Sequence, residues 1–285
     1  MHHRRERRPW RQKSPQVTAN QRRRRIHLKK SRTDNLHFHI PYNRIDEFEA
    51  DLNSFRVNLE IYFDAHTLDS TGPSVVSERI SRFNYAPSLT IHGPFMDLSP
   101  GAVDPLIHEI TLKRYSQAME VARAVEAKRV VFHSGYERWK YDLKIEPWLQ
   151  QSLKTWSLML EQATTYGIRI SIENIFEDRP DNIRLLMEKI GSDHIGVCFD
   201  TGHFNLFSSV GLDEWLDALQ PYINELHVHD NDRTRDQHAA PGEGVFDFER
   251  LFGRLDPDDP DLILTVEAHS KEEVFKSLRY FMILP

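Results

Sequence analysis

The sequence predicts an α/β protein in which eight strand–helix pairs close a parallel barrel. Short apolar or alternating runs are followed by longer segments whose apolar residues recur every three or four positions. The 285 residues are enough for a single (β/α)8 barrel, which uses about 250. The competing architecture is an open doubly wound sheet. No Gly-x-Gly-x-x-Gly follows any predicted strand, so the usual dinucleotide-binding argument for that sheet is missing.

The predicted strands are short and end in polar residues. In the seventh, Leu226 and Val228 lie on one face, and His227 and His229 lie on the other. The eight strands are expected at residues 35–40, 57–63, 88–92, 129–133, 168–173, 194–200, 224–229 and 262–267.

A helix is predicted after each of these strands. In one of them the apolar residues step by four and three positions from Leu149 to Ala163, and Gly167 is expected as its C-cap. The helices are expected at residues 44–54, 75–83, 105–127, 147–166, 180–190, 212–219, 246–255 and 271–283. Eight such pairs with short links predict a TIM barrel that forms one domain over residues 34–285.

Residues 1–33 form a basic segment ahead of the barrel. They carry 13 Lys or Arg against one acid, Glu6, and show no apolar periodicity. We interpret them as a disordered arm, or as the product of a start codon assigned too far upstream. The alternative is an arm that binds nucleic acid through charge attraction. A transit peptide is not expected, because Leu, Ala and amphipathic spacing are missing.

The other 252 residues hold 24 bases and 42 acids, a net charge of −18 within a total of −6. This part of the chain lacks the positive stripe of a duplex-binding enzyme. The one cysteine, Cys198, excludes an internal disulfide and fits a reducing compartment. No apolar run reaches the roughly 18–20 residues of a membrane helix. We therefore expect a cytoplasmic protein without membrane contact.

Imidazoles and carboxylates cluster where six consecutive predicted strands end. The C-terminal ends of all eight strands of such a barrel point to one mouth, where active sites are built. Five histidines and four carboxylates meeting there without nearby Lys or Arg would be costly unless a cation compensates them. The residues predicted to bind a divalent metal are His92, His133, Glu173, Asp200, His203, His227, Asp236, His238 and Glu267.

The motifs around these residues resemble the xylose isomerase-like TIM barrel superfamily, which includes endonuclease IV and the sugar phosphate isomerases and epimerases. The resemblance spans about residues 35–285. The motifs in chain order are HGPF, FHSGY, SIEN, CFDTGH, LHVHDN, DQH-x3-GEG and TVEAH.

The resemblance to endonuclease IV implies three zinc ions and a hydroxide that bridges two of them and attacks phosphorus. It implies a phosphoester hydrolase in which all nine predicted ligands have a role. The implied ligand sets are His92 and His133 for the first zinc, with Glu173 bridging it to the second; Asp200, His227 and Glu267 for the second; and His203, Asp236 and His238 for the third.

The isomerase branch of the superfamily implies a simpler site. It uses one Mn²⁺ or Mg²⁺, held by the counterparts of Glu173, Asp200, His227 and Glu267, and the two glutamates act as the catalytic acid/base pair. His92 and His133 have no obligatory role in that scheme, so their presence favours a multinuclear zinc site. A third interpretation is a non-catalytic barrel that binds a ligand at its mouth or through its arm.

Departures from endonuclease IV argue against a DNA repair role. The segment between His227 and Asp236 is short, and the first two strands lack the polar loops that endonuclease IV inserts into DNA. We therefore expect a small phosphorylated or sugar substrate. Arg233 and Arg235 are candidate phosphate ligands.

Several further residues lie beside the predicted ligands. His229 and Asp230 are expected to orient metal ligands, and residues 139–141 are a candidate wall or lid over the mouth. Gly242-Glu243-Gly244 is predicted to form a tight turn close to the site. No function is assigned to the remaining histidines, which include His39 and His269.

Overall fold

A computed structural model describes residues 35–281 of the chain. The predicted basic arm, residues 1–33, lies outside the described residues. So do the last two residues of the helix predicted at 271–283. Within residues 35–281 no helix is both long and apolar enough to cross a membrane.

Eight parallel strands pair in chain order and close into a barrel, because β8 pairs with β1. The predicted TIM barrel is confirmed. The strands are β1 Leu36–Pro41, β2 Asn58–Tyr62, β3 Leu89–His92, β4 Arg129–His133, β5 Arg169–Glu173, β6 Ile195–Asp200, β7 Ile223–Val228 and β8 Ile263–Val266.

Helices surround the barrel and connect successive strands. Two short 3-10 helices, Tyr42–Arg44 and Gln220–Tyr222, precede α1 and β7. The α-helices are α1 Ile45–Phe55, α2 Ala65–Ser70, α3 Pro73–Ile80, α4 Pro105–Ala124, α5 Glu146–Tyr166, α6 Asp181–Ile190, α7 Thr201–Phe207, α8 Leu212–Leu219, α9 Phe248–Arg254 and α10 Lys271–Tyr280.

Two short helices, α2 and α7, were not expected from the sequence. Each starts after a capping aspartate: Asp64, two residues beyond β2, accepts a hydrogen bond from the amide of Thr67, and Asp200, the last residue of β6, accepts one from the amide of His203. Neither segment has the long apolar periodicity that identifies a helix in a sequence. In both places a capping aspartate therefore starts a short helix where we expected only a loop.

The apolar core lies between the outer face of the barrel and the helices. Leu59 and Ile61 of β2 belong to this core and are fully buried. Glu60 lies between them, so the period of two turns its side chain to the inside of the barrel. Adjacent strands place Thr90, Ser171, Glu225 and Thr265 in the same interior, where hydrogen bonds join them.

The barrel interior is thus polar beneath its mouth. Thr90 donates to Glu60, while Ser171 and Thr265 both donate to Glu225. Burial raises the pKa of Glu225 to about 8, and the nearby Glu60 carboxylate acts in the same direction. Burial thus shifts Glu225 toward its neutral form, in a hydrogen-bonded layer beneath the residues at the strand ends.

Candidate metal centre

The nine residues predicted as metal ligands converge at the C-terminal mouth of the barrel. Glu173, the last residue of β5, is at the centre of one group. Its Oε2 lies 3.2 Å from Nε2 of His92 and 3.3 Å from Nε2 of His133. Its Oε1 lies 3.1 Å from Nδ1 of His203. The two oxygens of one buried carboxylate thus face different histidines.

A second group forms around His227 of β7. Its Nδ1 lies 3.6 Å from Oε2 of Glu173, 3.8 Å from Oδ2 of Asp200 and 3.7 Å from Oε1 of Glu267. The imidazole is fully buried, and Asp200 is as well. One imidazole nitrogen therefore faces three carboxylates that come from three different strand ends.

A third group involves the loop between β7 and α9. Oδ2 of Asp236 lies 3.4 Å from Nε2 of His203 and 2.9 Å from Nε2 of His238. Nδ1 of His238 lies 3.5 Å from Oε2 of Glu267. The three groups share His203, Glu173 and Glu267, so the nine residues form one continuous centre.

The β7–α9 loop is held in place by Asp230. This buried carboxylate accepts hydrogen bonds from the amides of Asn231, Gly242, Gly244 and Phe246, at 2.9–3.0 Å. A Cβ at Gly244 would lie 2.3 Å from the carbonyl oxygen of Asn231, so the close approach of this turn requires glycine. The predicted turn at residues 242–244 therefore wraps around Asp230, and the loop between them presents Asp236 and His238.

His229 lies inside the centre, where we expected it only to orient ligands. Its Nε2 is 2.9 Å from Oδ2 of Asp200, and its Nδ1 is 3.6 Å from Oδ1 of Asp236. Its ring stacks on that of His238 with centroids 4.1 Å apart. It offers ligand atoms together with Asp200 and His203, and also with Asp236 and His238. His229 is therefore a tenth candidate ligand.

Three further residues at the centre were missed in the sequence. Nε2 of His39 lies 3.7 Å from Oε1 of Glu267. Oε1 of Glu60 lies 3.1 Å from Nε2 of His227. The ring of His269 stacks on His238 at 3.9 Å. His39 and Glu60 occupy inward positions of β1 and β2 that pair in register. The alternation of inward and outward residues along β1 and β2 could therefore have predicted that His39 and Glu60 point into the barrel.

The two arginines proposed to bind phosphate lie on the exposed part of the β7–α9 loop. Nε of Arg233 donates to Oδ1 of Asn205 at 3.0 Å. Arg233 also lines a cavity of about 300 Å³ that is bordered by Arg250. Arg235 is exposed. Their role as phosphate ligands stays a prediction.

The candidate lid at residues 139–141 divides into two parts. The side chain of Trp139 is 77% exposed, and the guanidinium of Arg138 lies 5.0 Å from the centroid of its ring. Tyr141 is buried and donates to the carbonyl oxygen of Gly101. Tyr141 therefore anchors the segment, and Trp139 projects from it.

The carboxylates and imidazoles of the centre shift one another's pKa values. Burial by itself would raise the pKa of Glu173, but His133 and His227 outweigh it and hold that pKa well below its ordinary value. Burial would likewise lower the pKa of His203, whereas Asp200 and Asp236 raise it well above the usual range. Glu173 is thus anionic and is stabilised by positive charge beside it. A divalent cation supplies that charge without protonating the imidazoles.

The donor set fits a divalent metal. Buried Nδ1 atoms of His227, His229 and His238 have no hydrogen-bond partner within the described residues. Ligand atoms of His92, His133 and Glu173 all lie within 4.8 Å of one another, as do those of Asp200, His203 and His229. Imidazole nitrogen combined with carboxylate oxygen is a donor set typical of zinc. The residues present therefore fit the group that the sequence predicted.

The chain matches the model of a known family. The description of that family is xylose isomerase-like TIM barrel, and it matches residues 55–283. The chain belongs to this xylose isomerase-like TIM barrel family. The resemblance inferred from the strand-end motifs is confirmed.

Relatives of this xylose isomerase-like protein include an uncharacterized protein of Methanocaldococcus jannaschii, MJ1311. The two are 26% identical over 230 residues, which is 75% of this chain and 78% of that relative. A protein of Mycobacterium leprae named probable endonuclease 4 is 26% identical over 198 residues, covering 65% of this chain and 75% of its own length.

One solved structure that is similar to this chain comes from a crystal soaked with a zinc salt. The TTHB071 protein from Thermus thermophilus, soaked with ZnCl2, superimposes with a TM-score of 0.73 at 25% identity. The match covers 87% of this chain and 97% of that one. Together with the buried His/Asp/Glu groups, the family match identifies the chain as a metal-binding TIM-barrel enzyme of this superfamily.

Proposed function

We propose that this xylose isomerase-like protein is a zinc-dependent phosphoester hydrolase that acts on a small phosphorylated substrate. The observation that carries the proposal is the position of Glu173. One of its oxygens faces His92 and His133, and the other faces His203. A carboxylate with both oxygens turned toward separate imidazoles is suited to bridge neighbouring cations.

The ligand sets proposed above account for the remaining residues. His92, His133 and Glu173 would hold one ion. A second ion would be held by Glu173 together with Asp200, His227 and Glu267. A third would be held by His203, Asp236 and His238. His229 lies within reach of Asp200 and Asp236, and it either adds a ligand or fixes those carboxylates.

Bound zinc would supply activation of water and stabilisation of negative charge on phosphoryl oxygens. The chain's own residues orient and enclose the reacting group. The carboxylate of Glu173 is anionic and lies at the centre of the site, where it favours bound cations. The β7–α9 loop, which Asp230 holds in place, closes one side. Burial of Glu173 and His227 keeps bulk water from the base of the centre.

Charge supports a small substrate over a DNA duplex. Residues 34–285 carry a net charge of −18, which repels a polyanion. Arg233 and Arg235 extend from the loop that carries Asp236, and we propose that they contact the substrate phosphate. Binding of nucleic acid through residues 1–33 is the alternative role for the arm.

A second function is favoured by a different observation. Glu173 and Glu267 both face Nδ1 of His227, with carboxylate oxygens 3.6 and 3.7 Å from it. Two buried carboxylates around one ion position form the acid/base pair that moves a proton next to a sugar carbonyl. A sugar or sugar-phosphate isomerase or epimerase with one Mn²⁺ or Mg²⁺ is therefore the alternative.

Metal analysis combined with activity assays separates the two functions. Protein purified without added metal is measured for bound metals, then tested on phosphomonoesters, phosphodiesters and keto-sugars. About three zinc ions per chain with phosphoester hydrolysis is the expected result. A single exchangeable Mn²⁺ or Mg²⁺ with keto-sugar turnover would establish the isomerase instead. Turnover of neither substrate class with any metal would leave a binding protein and refute both enzymes.

A further inference from the structure

Glu60 is a buried carboxylate that lies beneath the metal centre and has no place in the ligand sets above. It lies on β2, inside the barrel, and it is fully buried. Its Oε1 lies 3.1 Å from Nε2 of His227 without the alignment of a hydrogen bond, so both of these buried atoms lack a hydrogen-bond partner within the described residues. Its Oε2 accepts a hydrogen bond from Thr90 at 3.3 Å. Thr90 thus fixes Oε2 of Glu60, while Oε1 faces the imidazole of His227 at the base of the metal centre.

The two nitrogens of His227 face in different directions. Nε2 faces Glu60, and Nδ1 faces Glu173, Asp200 and Glu267 at 3.6–3.8 Å. A neutral imidazole binds a cation only through the nitrogen that carries no proton. An acceptor beside Nε2 favours the proton on that nitrogen and leaves Nδ1 free. The ring therefore presents Nδ1 to three strand-end carboxylates and Nε2 to the carboxylate of Glu60.

We propose that Glu60 is a positioning residue that holds the proton of His227 on Nε2 and aims Nδ1 at the metal. This inference rests on the proposed metal centre and extends it by one residue. Carboxylates that accept the second N–H of a ligating histidine fix its tautomer and raise its basicity. Glu60 reaches the centre only through His227 in this role, so it acts on metal affinity and not on the substrate.

The barrel interior provides a matched control in Glu225. Like Glu60, it is a fully buried glutamate inside the barrel, but it accepts hydrogen bonds from Ser171 and Thr265. Glu225→Gln replaces a buried carboxyl in the same layer while leaving the contact between Glu60 and His227 intact. A change seen in Glu60 variants but not in Glu225→Gln is therefore specific to the His227 partner.

The test compares zinc affinity in wild type, Glu60→Gln, Glu60→Leu and Glu225→Gln by competition with a zinc-binding dye. Glu60→Leu is expected to weaken the tightest affected zinc site by about 10- to 100-fold, as removal of such a partner typically does. Glu60→Gln is expected to lose less, because its amide oxygen still accepts from Nε2–H. Equal losses in both variants would mean that charge alone acts, and would overturn the positioning role.

A spectroscopic readout keeps the proposal testable if Glu60→Leu does not fold. ¹⁵N-histidine NMR of the zinc-loaded protein, assigned with a His227→Gln variant, reports which nitrogen carries the proton. We expect Nε2–H in wild type and a loss of that single tautomer without Glu60. An unchanged tautomer with unchanged affinity in Glu60→Gln and Glu60→Leu overturns the inference. Loss of a whole zinc ion with the tautomer unchanged would make Glu60 a ligand, which also overturns it. If the wild type binds no zinc, the proposed function fails instead.

Discussion

His133 and Glu173 pair in the register of β4 and β5, and Nε2 of His133 lies 3.3 Å from Oε2 of Glu173. Two residues that are 40 positions apart in the chain thus become neighbours because adjacent parallel strands end at the same level. His92 reaches the same oxygen at 3.2 Å from β3. This contact joins three consecutive strands at one carboxylate, and it provides the most direct test of the proposed centre.

Replacing both His92 and His133 by alanine should remove one metal ion and abolish phosphoester hydrolysis. These are the only protein ligands that our assignment gives to the first ion besides the bridging Glu173. Loss of a site that activates water typically costs several kcal/mol of transition-state stabilisation, or about a 10³-fold loss of rate or more. Metal analysis and initial rates measure both effects. If keto-sugar turnover survives in this variant, the isomerase function is supported.

Asp230→Asn should loosen the β7–α9 loop. Both carboxylate oxygens accept backbone amides, and an asparagine NH2 would face two of those N–H groups. Each buried donor left unpaired costs about 1–3 kcal/mol. We expect faster hydrogen exchange at Gly242 and Gly244 and lower zinc occupancy at Asp236 and His238. Asp232→Asn, at an exposed aspartate in the same loop, should leave the exchange rates unchanged.

Gly202→Ala should destabilise the protein through His229. A Cβ at position 202 would lie 2.0 Å from Cε1 of the buried His229 ring. Overpacking of this kind typically costs about 1–3 kcal/mol, or roughly 2–4 °C of Tm per kcal/mol in a domain of this size. Thermal unfolding measures the loss. Gly253→Ala, where nothing lies within 4 Å of the new Cβ, is the control and should be neutral or stabilising.

Glu225→Gln should stabilise the protein progressively as pH rises. In the folded state burial raises the pKa of Glu225 to about 8, while the unfolded chain releases the proton near 4.5. The folded state therefore binds more protons between these values, and wild-type stability falls by at most about 1.4 kcal/mol for each pH unit in that window. Glutamine removes this penalty.

Unfolding of metal-free wild type and Glu225→Gln by urea at pH 5 and pH 8 measures that effect. The free-energy difference between the two proteins should favour the variant more strongly at pH 8 than at pH 5. An equal difference at both pH values would mean that Glu225 ionises normally in the folded state.

Deleting residues 1–33 should leave kcat/KM for a small substrate unchanged. The ten candidate ligands assigned within residues 35–281 lie between His92 and Glu267, so we expect the barrel to form the whole site. Initial rates at low and high salt test this expectation. A large loss of activity at low salt that is restored with the full-length chain would instead support a nucleic-acid substrate bound through the arm.

Most of the fold was predictable because barrel strands and their covering helices have distinct apolar periods. All eight strands lie close to their predicted positions, and the polar residues that follow them lie together at the barrel mouth. The short helices α2 and α7 were missed because an aspartate cap, and not apolar periodicity, starts them. Local capping is decided by a single side-chain hydrogen bond, which residue patterns reveal poorly.

The sequence alone determined the barrel and the family, and it predicted the nine residues that meet at the barrel mouth, because each of these follows from local periodicity and from motifs of a few residues. Only the tertiary structure placed His229 among the candidate ligands, stacked His269 on His238 and set Glu60 beside Nε2 of His227. Those contacts depend on strand register and on closure of the barrel. Both are set by packing between segments far apart in the chain, and no spacing along one segment encodes them.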